Sequence, residues 1–417
     1  MVNADIYNKV NKENLIVTFL LILKSTQASI IAISPVTTIL FLIYVSFIFN
    51  KRKLKFSSYY VYFTIVYFII NIFYFVSFDT YDLYLSGYVY LKFLYAYISI
   101  RVISFSFFKH FGNLVYYGAL ISLPFYLLQI INYDLAFEIV SFFQRKIYFL
   151  NYRNDILANN ILFTIEGYAG QLRNSGFMWE PKGFANILSL SIVFNILLSK
   201  NKFLSKRNIV LLTAVITTYS TVGYFICFVI IPLFVLYNSN LRNKVFLLII
   251  IPFVIISISR LDFMYDKIKY ELTLSDEHEM LTSTSRDFGQ DIISLGRVGS
   301  FLVDINDFYK RPILGYGVNK NERTQNPWIK LIRVNGFSDL LATWGLFGFF
   351  FYVISHFNFF KSITSFFKMK GVFFISFIFL VIYIATTLTL HPLWMSFLFI
   401  NLIIPSNINE DTFNSIS

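Results

Sequence analysis

The sequence predicts an all-α fold, a polytopic transmembrane helical bundle of about 11–12 spans that forms a single integral membrane domain over residues 1–417. Three observations support this prediction: the composition, the spacing of apolar stretches and the charge of the short connections. Of 417 residues, 57% are hydrophobic and only 14% are charged, against about 25% charged in an average soluble domain. The composition therefore favours a membrane protein over a soluble fold.

Apolar stretches long enough to cross a hydrocarbon core of about 30 Å recur along the whole chain. Lys24 and Pro35 interrupt the first two stretches, so a single tilted or kinked helix is an alternative there. The turn signal at 219–223 is weak, so it is also open whether the apolar stretches on either side of it form two separate spans. We predict spans at roughly 14–33, 35–50, 58–78, 83–100, 113–132, 184–199, 208–219, 222–238, 244–259, 337–357, 372–389 and 392–405.

Basic residues set the predicted orientation, because Lys and Arg in short loops stay on the cytoplasmic side. Residues 133–183 and 260–336 then form two large extracytoplasmic loops, the second with short helices. The net charge of +12 is explained mainly by this topology signal and by attraction to anionic lipid. The lipid bilayer is therefore an expected partner and nucleic acid is not. Five short connections carry Lys and Arg without Asp or Glu, all on one side: 51–55, 101–109, 200–207, 242–244 and 361–370.

The end of the first loop has the features of an anion site. Pro181 suits the first turn of a helix, where its missing N–H group would have no partner. The helix N-terminus then offers the N–H groups of Lys182 and Gly183 and the positive end of its dipole, with Arg173 and the Lys182 side chain nearby. A phosphate group would fit there. The alternative is that Arg173 and Glu180 pair with each other and only cap the helix.

The second loop contains two glycine-flanked basic segments. Arg297 lies in Gly296-Arg297-Val-Gly299, where it would be exposed and suited to bidentate binding of a pyrophosphate, or else be only a solvated charge. Arg311 precedes Gly315-Tyr-Gly317, and these glycines permit tight backbone turns near a ligand. The pattern is not a dinucleotide-binding fingerprint, because the third glycine is missing.

Acidic residues of the second loop give little support to metal chemistry, and we predict no metal site. The cluster at 276–279 is dense, but adjacent side chains cannot all point at one ion. Asp304 and Asp307 are predicted to form the exposed face of an amphipathic helix, with Phe301 and Phe308 on its other face.

Two further candidates lie near the predicted outer ends of spans. His391 precedes Pro392 and is a candidate base, with a hydrogen-bonding cap as the alternative. Asp339 falls just inside the span at 337–357, where a carboxylate is costly in lipid. We therefore predict that Asp339 faces a polar cavity or an arginine, with a catalytic and a structural role equally open.

These segments together resemble the bacterial O-antigen polymerase and ligase superfamily, integral membrane glycosyltransferases of the class C type. The resemblance covers 160–350, and the order and sidedness of the motifs carry it. The motifs are Arg173-x-x-Gly176-x-x-x-Glu180-Pro181-x-x-Phe184-Ala185, Thr218-x-Ser220-x-x-Gly223, Gly296-Arg297, Arg311-Pro312-Ile-Leu-Gly315-x-Gly317, Asn335 and Leu340-Leu-Ala-Thr-Trp-Gly345-Leu-Phe-Gly348.

The resemblance implies transfer of a polysaccharide from undecaprenyl pyrophosphate to a hydroxyl of the next lipid-linked repeat unit, at the periplasmic face of the bacterial inner membrane. It implies no cofactor, and a chain-length regulator and a flippase in the same membrane are partners compatible with it. Its implied catalytic residues are Arg173, Arg297 and Glu180, with His391 and Asp339 as further candidate bases. The implied substrate-binding residues are Lys182, Gly183, Arg311, Gly315, Gly317 and Asn335.

One departure separates the two branches of the superfamily. Ligases usually carry a histidine beside the asparagine that ends the large outer loop, whereas Val334 precedes Asn335 here. The Glu180-Pro181 form of the first motif is also more similar to the polymerases. We therefore expect an O-antigen polymerase, with an O-antigen ligase as one alternative and a lipid-linked oligosaccharide flippase or transporter as an alternative of another class.

Overall fold

The computed structural model describes residues 4–78, 81–147, 150, 156–166, 172–199, 203–238, 292–318, 322–324 and 330–403, and within them the protein is mostly helical. The predicted span at 244–259, the connection at 242–244 and the acidic cluster at 276–279 lie outside the described residues. The helices are α1 (Ala4–Leu23), α2 (Ile30–Ile33), α3 (Pro35–Lys51), α4 (Ser58–Ser77), α5 (Leu83–Ile103), α6 (Phe107–Ile131), α7 (Tyr133–Lys146), α8 (Pro181–Leu198), α9 (Lys206–Thr217), α10 (Thr221–Tyr237), α11 (Arg297–Lys310), α12 (Gly336–Phe366), α13 (Val372–Ala385) and α14 (Pro392–Ser396).

Four helical stretches are long and apolar enough to cross a membrane: Ser58–Ser77, Leu83–Ile131, Pro181–Leu198 and Gly336–Phe366. The second of these contains α5 and α6, which are divided where Ser104 adopts a φ of +55°. Three shorter helices, α3, α10 and α13, are also apolar. These findings agree with an all-α membrane bundle.

The first predicted span, 14–33, is wrong as a single helix. Helix α1 ends at Leu23, and Lys24 turns back so that its buried ammonium group donates hydrogen bonds to the carbonyl of Ser34 at 2.7 Å and to the hydroxyl of Thr37 at 2.8 Å. The cost of burying this charge is offset by these acceptors, which are available only because the chain folds back here.

Three of the five predicted basic connections meet at one end of the bundle. Arg101 donates to the carbonyl of Lys55, and the rings of Phe105 and Phe366 lie 4.6 Å apart. The first, second and last of the five predicted basic connections therefore lie together. Helix α3 leads away from this end, and its N-terminus lies beside the turn that contains Lys24.

Helix α8 lies at the centre of the bundle, with 89% of its 18 residues buried. It packs against α6, α9 and α10. The ring of Phe194 lies 5.1 Å from that of Phe108 and 5.4 Å from that of Phe111. Because α8 is enclosed by other helices, its position and the direction of its N-terminus are fixed by tertiary packing.

Helix α12 is interrupted at Gly345, whose φ of +60° and ψ of −167° are not helical. In an unbroken helix, Leu346 and Phe347 would donate their N–H groups to the carbonyls of Ala342 and Thr343. The interruption leaves these four backbone groups without helical partners, in a helix that otherwise has the length and apolarity of a span.

The segment at 312–317 provides partners for all four groups. The two N–H groups donate to the carbonyls of Pro312 and Ile313 at 2.8 and 3.1 Å, and the two carbonyls accept from the N–H groups of Tyr316 and Gly317 at 3.1 and 2.7 Å. Loop and broken helix therefore complete each other's hydrogen bonding, as non-helical backbone in an apolar bundle requires.

Two small sheets accompany the helices in the segments predicted as loops. Strands β1 (Ile156–Asn159) and β2 (Thr164–Glu166) form an antiparallel pair in which Ala158 is opposite Ile165. Strands β3 (Ile292–Ser294) and β4 (Lys330–Ile332) pair in parallel. The first sheet packs against α7, so the end of the first loop is built on a defined scaffold.

Candidate functional site at the N-terminus of helix α8

The turn that precedes α8 is held by buried backbone contacts. Asn174 donates its backbone N–H to the carbonyl of Thr217 at 3.0 Å, and Trp179 donates to the carbonyl of Thr26 at 3.0 Å. Gly176 has a φ of +50°, and a Cβ atom on it would lie 2.5 Å from the ring of Phe184. Glycine is therefore required at this position, and the turn fixes the residue that begins the helix.

Four charged side chains surround the start of α8. Arg173 Nη2 donates to both carboxylate oxygens of Glu166, at 2.9 and 2.8 Å. Lys182 Nζ lies 3.3 Å from Glu180 Oε1. All four side chains are 16–23% exposed, so they are partly withdrawn from water but still reachable.

This arrangement corrects one alternative from the sequence. Arg173 does not pair with Glu180, and the side chain of Glu180 makes no capping hydrogen bond to the helix. The position of Glu166 explains the difference, because β2 brings this carboxylate to Arg173 from outside the motif. Burial raises the pKa of the Glu166 carboxyl group, Arg173 lowers it and the neighbouring Glu180 raises it further.

His391 is connected to the same turn. The Gln27 Nε2 atom lies 2.5 Å from the His391 Nε2 atom, and Thr26, the preceding residue, accepts the N–H group of Trp179. An amide nitrogen donates, so the imidazole Nε2 accepts, as it does in the neutral ring. Burial and the charges of Lys92 and Lys24 lower the pKa of His391 to about 3. The structure thus places a neutral His391 near the start of α8.

Arg297 and Asn335 meet at a second place. Arg297 is the first residue of α11, and its carbonyl accepts from Asn335 Nδ2 at 3.4 Å. The Asn335 side-chain oxygen accepts from the N–H groups of Phe337 and Ser338, so Asn335 is the N-cap of α12. Asn335 therefore has a structural role in addition to the proposed substrate contact.

A buried charge network joins α11 to α12. Arg323 Nη2 donates to Asp304 at 2.7 Å and its Nη1 donates to Asp339 at 2.6 Å. Arg333 Nη1 lies 2.7 Å from both Asp304 and Asp307. Asp304 and Asp307 are fully buried and Arg323 is 4% exposed, so the network is enclosed by protein.

The network confirms one prediction and overturns another. Asp339 does face an arginine, Arg323, as its predicted position in a span required. Asp304 and Asp307 are not on an exposed face; they are buried, and Phe301 is 39% exposed instead. The sidedness of α11 is reversed because Arg323 and Arg333 bind its acidic face from inside.

Arg311, Gly315 and Gly317 form a third group, at the break in α12. The Arg311 guanidinium carbon lies 4.2 Å from the centroid of the Phe78 ring, a cation–π contact. Gly315 has a φ of +70°, and a Cβ atom on it would lie 2.6 Å from the carbonyl oxygens of Ala342 and Thr343. Gly315 thus allows a close approach to the broken helix, whereas a Cβ atom on Gly317 would lie 2.7 Å from the ring of Tyr74.

Within the described ranges no group of three or more His, Cys, Asp or Glu side chains is arranged to hold a metal ion. The three carboxylates around Arg323 are instead bound by guanidinium groups. No family model matches this sequence, and no curated protein or solved structure matches it.

Proposed function

We propose that this protein is a membrane glycosyltransferase that polymerises a surface polysaccharide of the O-antigen type, using repeat units linked to undecaprenyl pyrophosphate. The proposal rests on one observation: Arg173, Glu180 and Lys182 converge at the N-terminus of a central buried helix, at the end of the bundle away from the basic connections. Cations and a helix N-terminus suit a pyrophosphate, and a neighbouring carboxylate suits an acceptor hydroxyl.

The reaction needs one bond formed and one broken. The acceptor hydroxyl oxygen attacks the anomeric carbon of the donor sugar, and the bond from that carbon to the pyrophosphate oxygen breaks. The proton of the hydroxyl passes to Glu180, and undecaprenyl pyrophosphate leaves with the electron pair. Lys182, Arg173 and the first N–H groups of α8 would stabilise the charge that develops on the leaving group.

Glu166 gives the donor site a defined resting state. Before a pyrophosphate binds, this carboxylate occupies Arg173, so the incoming anion must take its place. Burial and the neighbouring Glu180 raise the pKa of Glu166; they disfavour its charged form and thus oppose the pairing that the pyrophosphate must displace. The resemblance also implies a role for Arg297 at the pyrophosphate, but the contact described for this residue is with Asn335, at the start of α12.

A transporter is the competing class that one observation favours. Broken helices in transporters expose backbone groups that bind the transported substrate, and α12 is broken at Gly345. The four backbone groups at this break are bound by the segment at 312–317. They are thus not available to a substrate, which supports the enzyme over the transporter.

Deletion of the gene tests the proposal in the cell. The surface glycolipids of the deletion strain are run on a gel beside those of the parent, with a Glu180→Gln variant and wild type supplied on a plasmid. Loss of the ladder with one repeat unit left on the core is expected for the deletion and for Glu180→Gln, at an unchanged protein level. Bare core with long lipid-linked polymer would indicate a ligase, and an unchanged ladder would overturn the proposal.

A further inference from the structure

Helix α11 has its polar and apolar faces reversed relative to a helix on the surface of a soluble protein. Its acidic residues Asp304 and Asp307 are fully buried, as described above. Most of its exposed residues are apolar: Val298 is 42% exposed, Phe301 39%, Leu302 51% and Tyr309 74%, while Asn306 and Lys310 are exposed at the edge of this face. The apolar positions follow the three-and-four spacing of one helical face. A face of this kind is unfavourable in water and requires an apolar neighbour.

Helix α7 presents a second exposed apolar face. Leu135 is 43% exposed, Ile139 39%, Phe142 56% and Phe143 47%, and their spacing again places them on one side of the helix. Two other faces complete this helix. Ala136 and Val140 are buried against the protein, and Asp134, Glu138 and Arg145 are exposed to one side. The exposed apolar face suits lipid, the buried face contacts protein, and the charged face suits water.

The apolar face of α7 continues the exposed surface of α6. Leu127, Ile130 and Ile131, in the last turns of α6, are 56%, 50% and 80% exposed. Asn132 then ends α6 and caps α7, accepting the N–H group of Leu135 at 3.0 Å. The apolar surface of a candidate span therefore passes directly onto α7.

Neither helix is long enough to cross a membrane. Each has 14 residues and is thus about 21 Å long at about 1.5 Å per residue, whereas the hydrocarbon core is about 30 Å thick. A short helix with an apolar face, a charged face and basic residues at its end is typical of one that lies in the membrane interface. Helix α7 ends with Arg145 and Lys146, which suit anionic headgroups.

We propose that α7 and α11 lie flat in the interface of the lipid bilayer, with their exposed apolar faces inserted at the boundary between headgroups and acyl chains. The partner is the lipid surface itself. This inference does not depend on the glycosyltransferase proposal, because it follows from exposure, helix length and charge alone.

The position of α7 in the interface also determines the depth of the candidate site relative to the membrane. Gln144 of α7 accepts the backbone N–H of Asn159 at 3.0 Å, and β1 pairs with β2, which carries Glu166. If α7 lies in the interface, the Glu166–Arg173 pair is held close to the headgroup region. A phosphate carried on a lipid would meet it there.

Spin labels can test the position of both helices. Single cysteines are introduced into a Cys227→Ser background at Phe142 and Leu302 on the apolar faces. The matched controls are two exposed charged positions, Glu138 on the charged side of α7 and Lys310 at the end of α11. The labelled full-length protein is placed in vesicles of phosphatidylethanolamine and phosphatidylglycerol. Accessibility to oxygen, which concentrates in lipid, is compared with accessibility to a water-soluble nickel complex. Helix content by circular dichroism shows that each variant is folded.

We expect the labels at Phe142 and Leu302 to favour oxygen, at a depth of about 5–10 Å below the headgroups, and the two controls to favour the nickel complex. Equal exposure of apolar and charged positions to nickel would place the helix in water and overturn the inference for that helix. Shielding from both reagents, with dipolar broadening between labels, would show that a second copy of the chain covers the face, and would overturn it equally.

Discussion

Replacement of Arg323 by methionine tests the buried charge network most sharply. The side chain is 2% exposed and contacts three carboxylates: Asp304 at 2.7 Å, Asp339 at 2.6 Å and Asp307 at 3.6 Å. Methionine keeps much of the side-chain volume and removes the charge. Arg333 still binds Asp304 and Asp307 in the variant, whereas Asp339 loses its contact with Arg323.

The expected loss of stability follows from this geometry. Removing one partner of a buried ion pair costs about 3–5 kcal/mol, because the other charge is left buried without compensation. Since Arg333 retains two of the three carboxylates and the Asp339 side chain is 16% exposed, we expect a value near the lower limit, about 3 kcal/mol. Arg323→Lys should lie between wild type and Arg323→Met, because one ammonium group cannot span the carboxylates as a planar guanidinium does.

The measurement is reversible unfolding in mixed micelles with increasing sodium dodecyl sulfate, followed by circular dichroism. Lys51→Met is the control, because Lys51 also pairs with a carboxylate, Glu13 at 2.6 Å, but its side chain is 43% exposed. An exposed pair contributes under about 1 kcal/mol. Equal losses for Arg323→Met and Lys51→Met, or a loss below about 1 kcal/mol for both, would refute the role of burial.

Three further predictions follow from single contacts. Gly315→Ala should cost about 1–3 kcal/mol in the same unfolding assay, because its Cβ atom would meet two carbonyl oxygens at 2.6 Å at a φ of +70°; Gly87→Ala, with nothing within 4 Å, should be neutral or stabilising, and the reverse order would contradict the packing. The lowered pKa of His391 means that its neutral form stabilises the fold above the unfolded pKa of about 6.5, and that this contribution is lost as pH falls from there towards about 3. The melting temperature of wild type should thus fall between pH 7 and pH 5 more than that of His391→Gln, and parallel curves would exclude the effect. Arg173→Lys and Arg297→Lys should lose most polymer at normal protein levels, because lysine lacks the planar fork that binds a pyrophosphate; a full ladder from both would remove these arginines from the mechanism.

Much of the helical architecture could be predicted from local features of the chain. The length of apolar stretches determined most helix positions, and Pro181 correctly marked the first residue of α8 because its ring favours that position. The cost of a carboxylate in an apolar helix predicted either a polar cavity or an arginine opposite Asp339, and the structure has Arg323 there. These are short-range properties, which a single sequence displays directly.

Contacts between distant segments could not be predicted in the same way. Glu166 and Arg173 are only seven residues apart, but nothing in their spacing indicates that they pair, and Glu166 lies on a strand that was predicted as loop. The break at Gly345 is bound by a segment about 30 residues earlier, and no local pattern identifies that partner. Asp304 and Asp307 were placed on the wrong face because the prediction assumed that charges face water. Near a membrane, an apolar face can contact lipid outside the protein, so it need not be buried inside the protein.

The central claim is that this chain itself joins lipid-linked repeat units. The purified protein, placed in vesicles with an undecaprenyl-pyrophosphate-linked oligosaccharide as its only glycolipid, tests this most directly, with Glu180→Gln as the control. We predict a ladder of longer lipid-linked products and release of undecaprenyl pyrophosphate with wild type, and neither with the variant. Recovery of only the original glycolipid from correctly folded wild-type protein would contradict the claim.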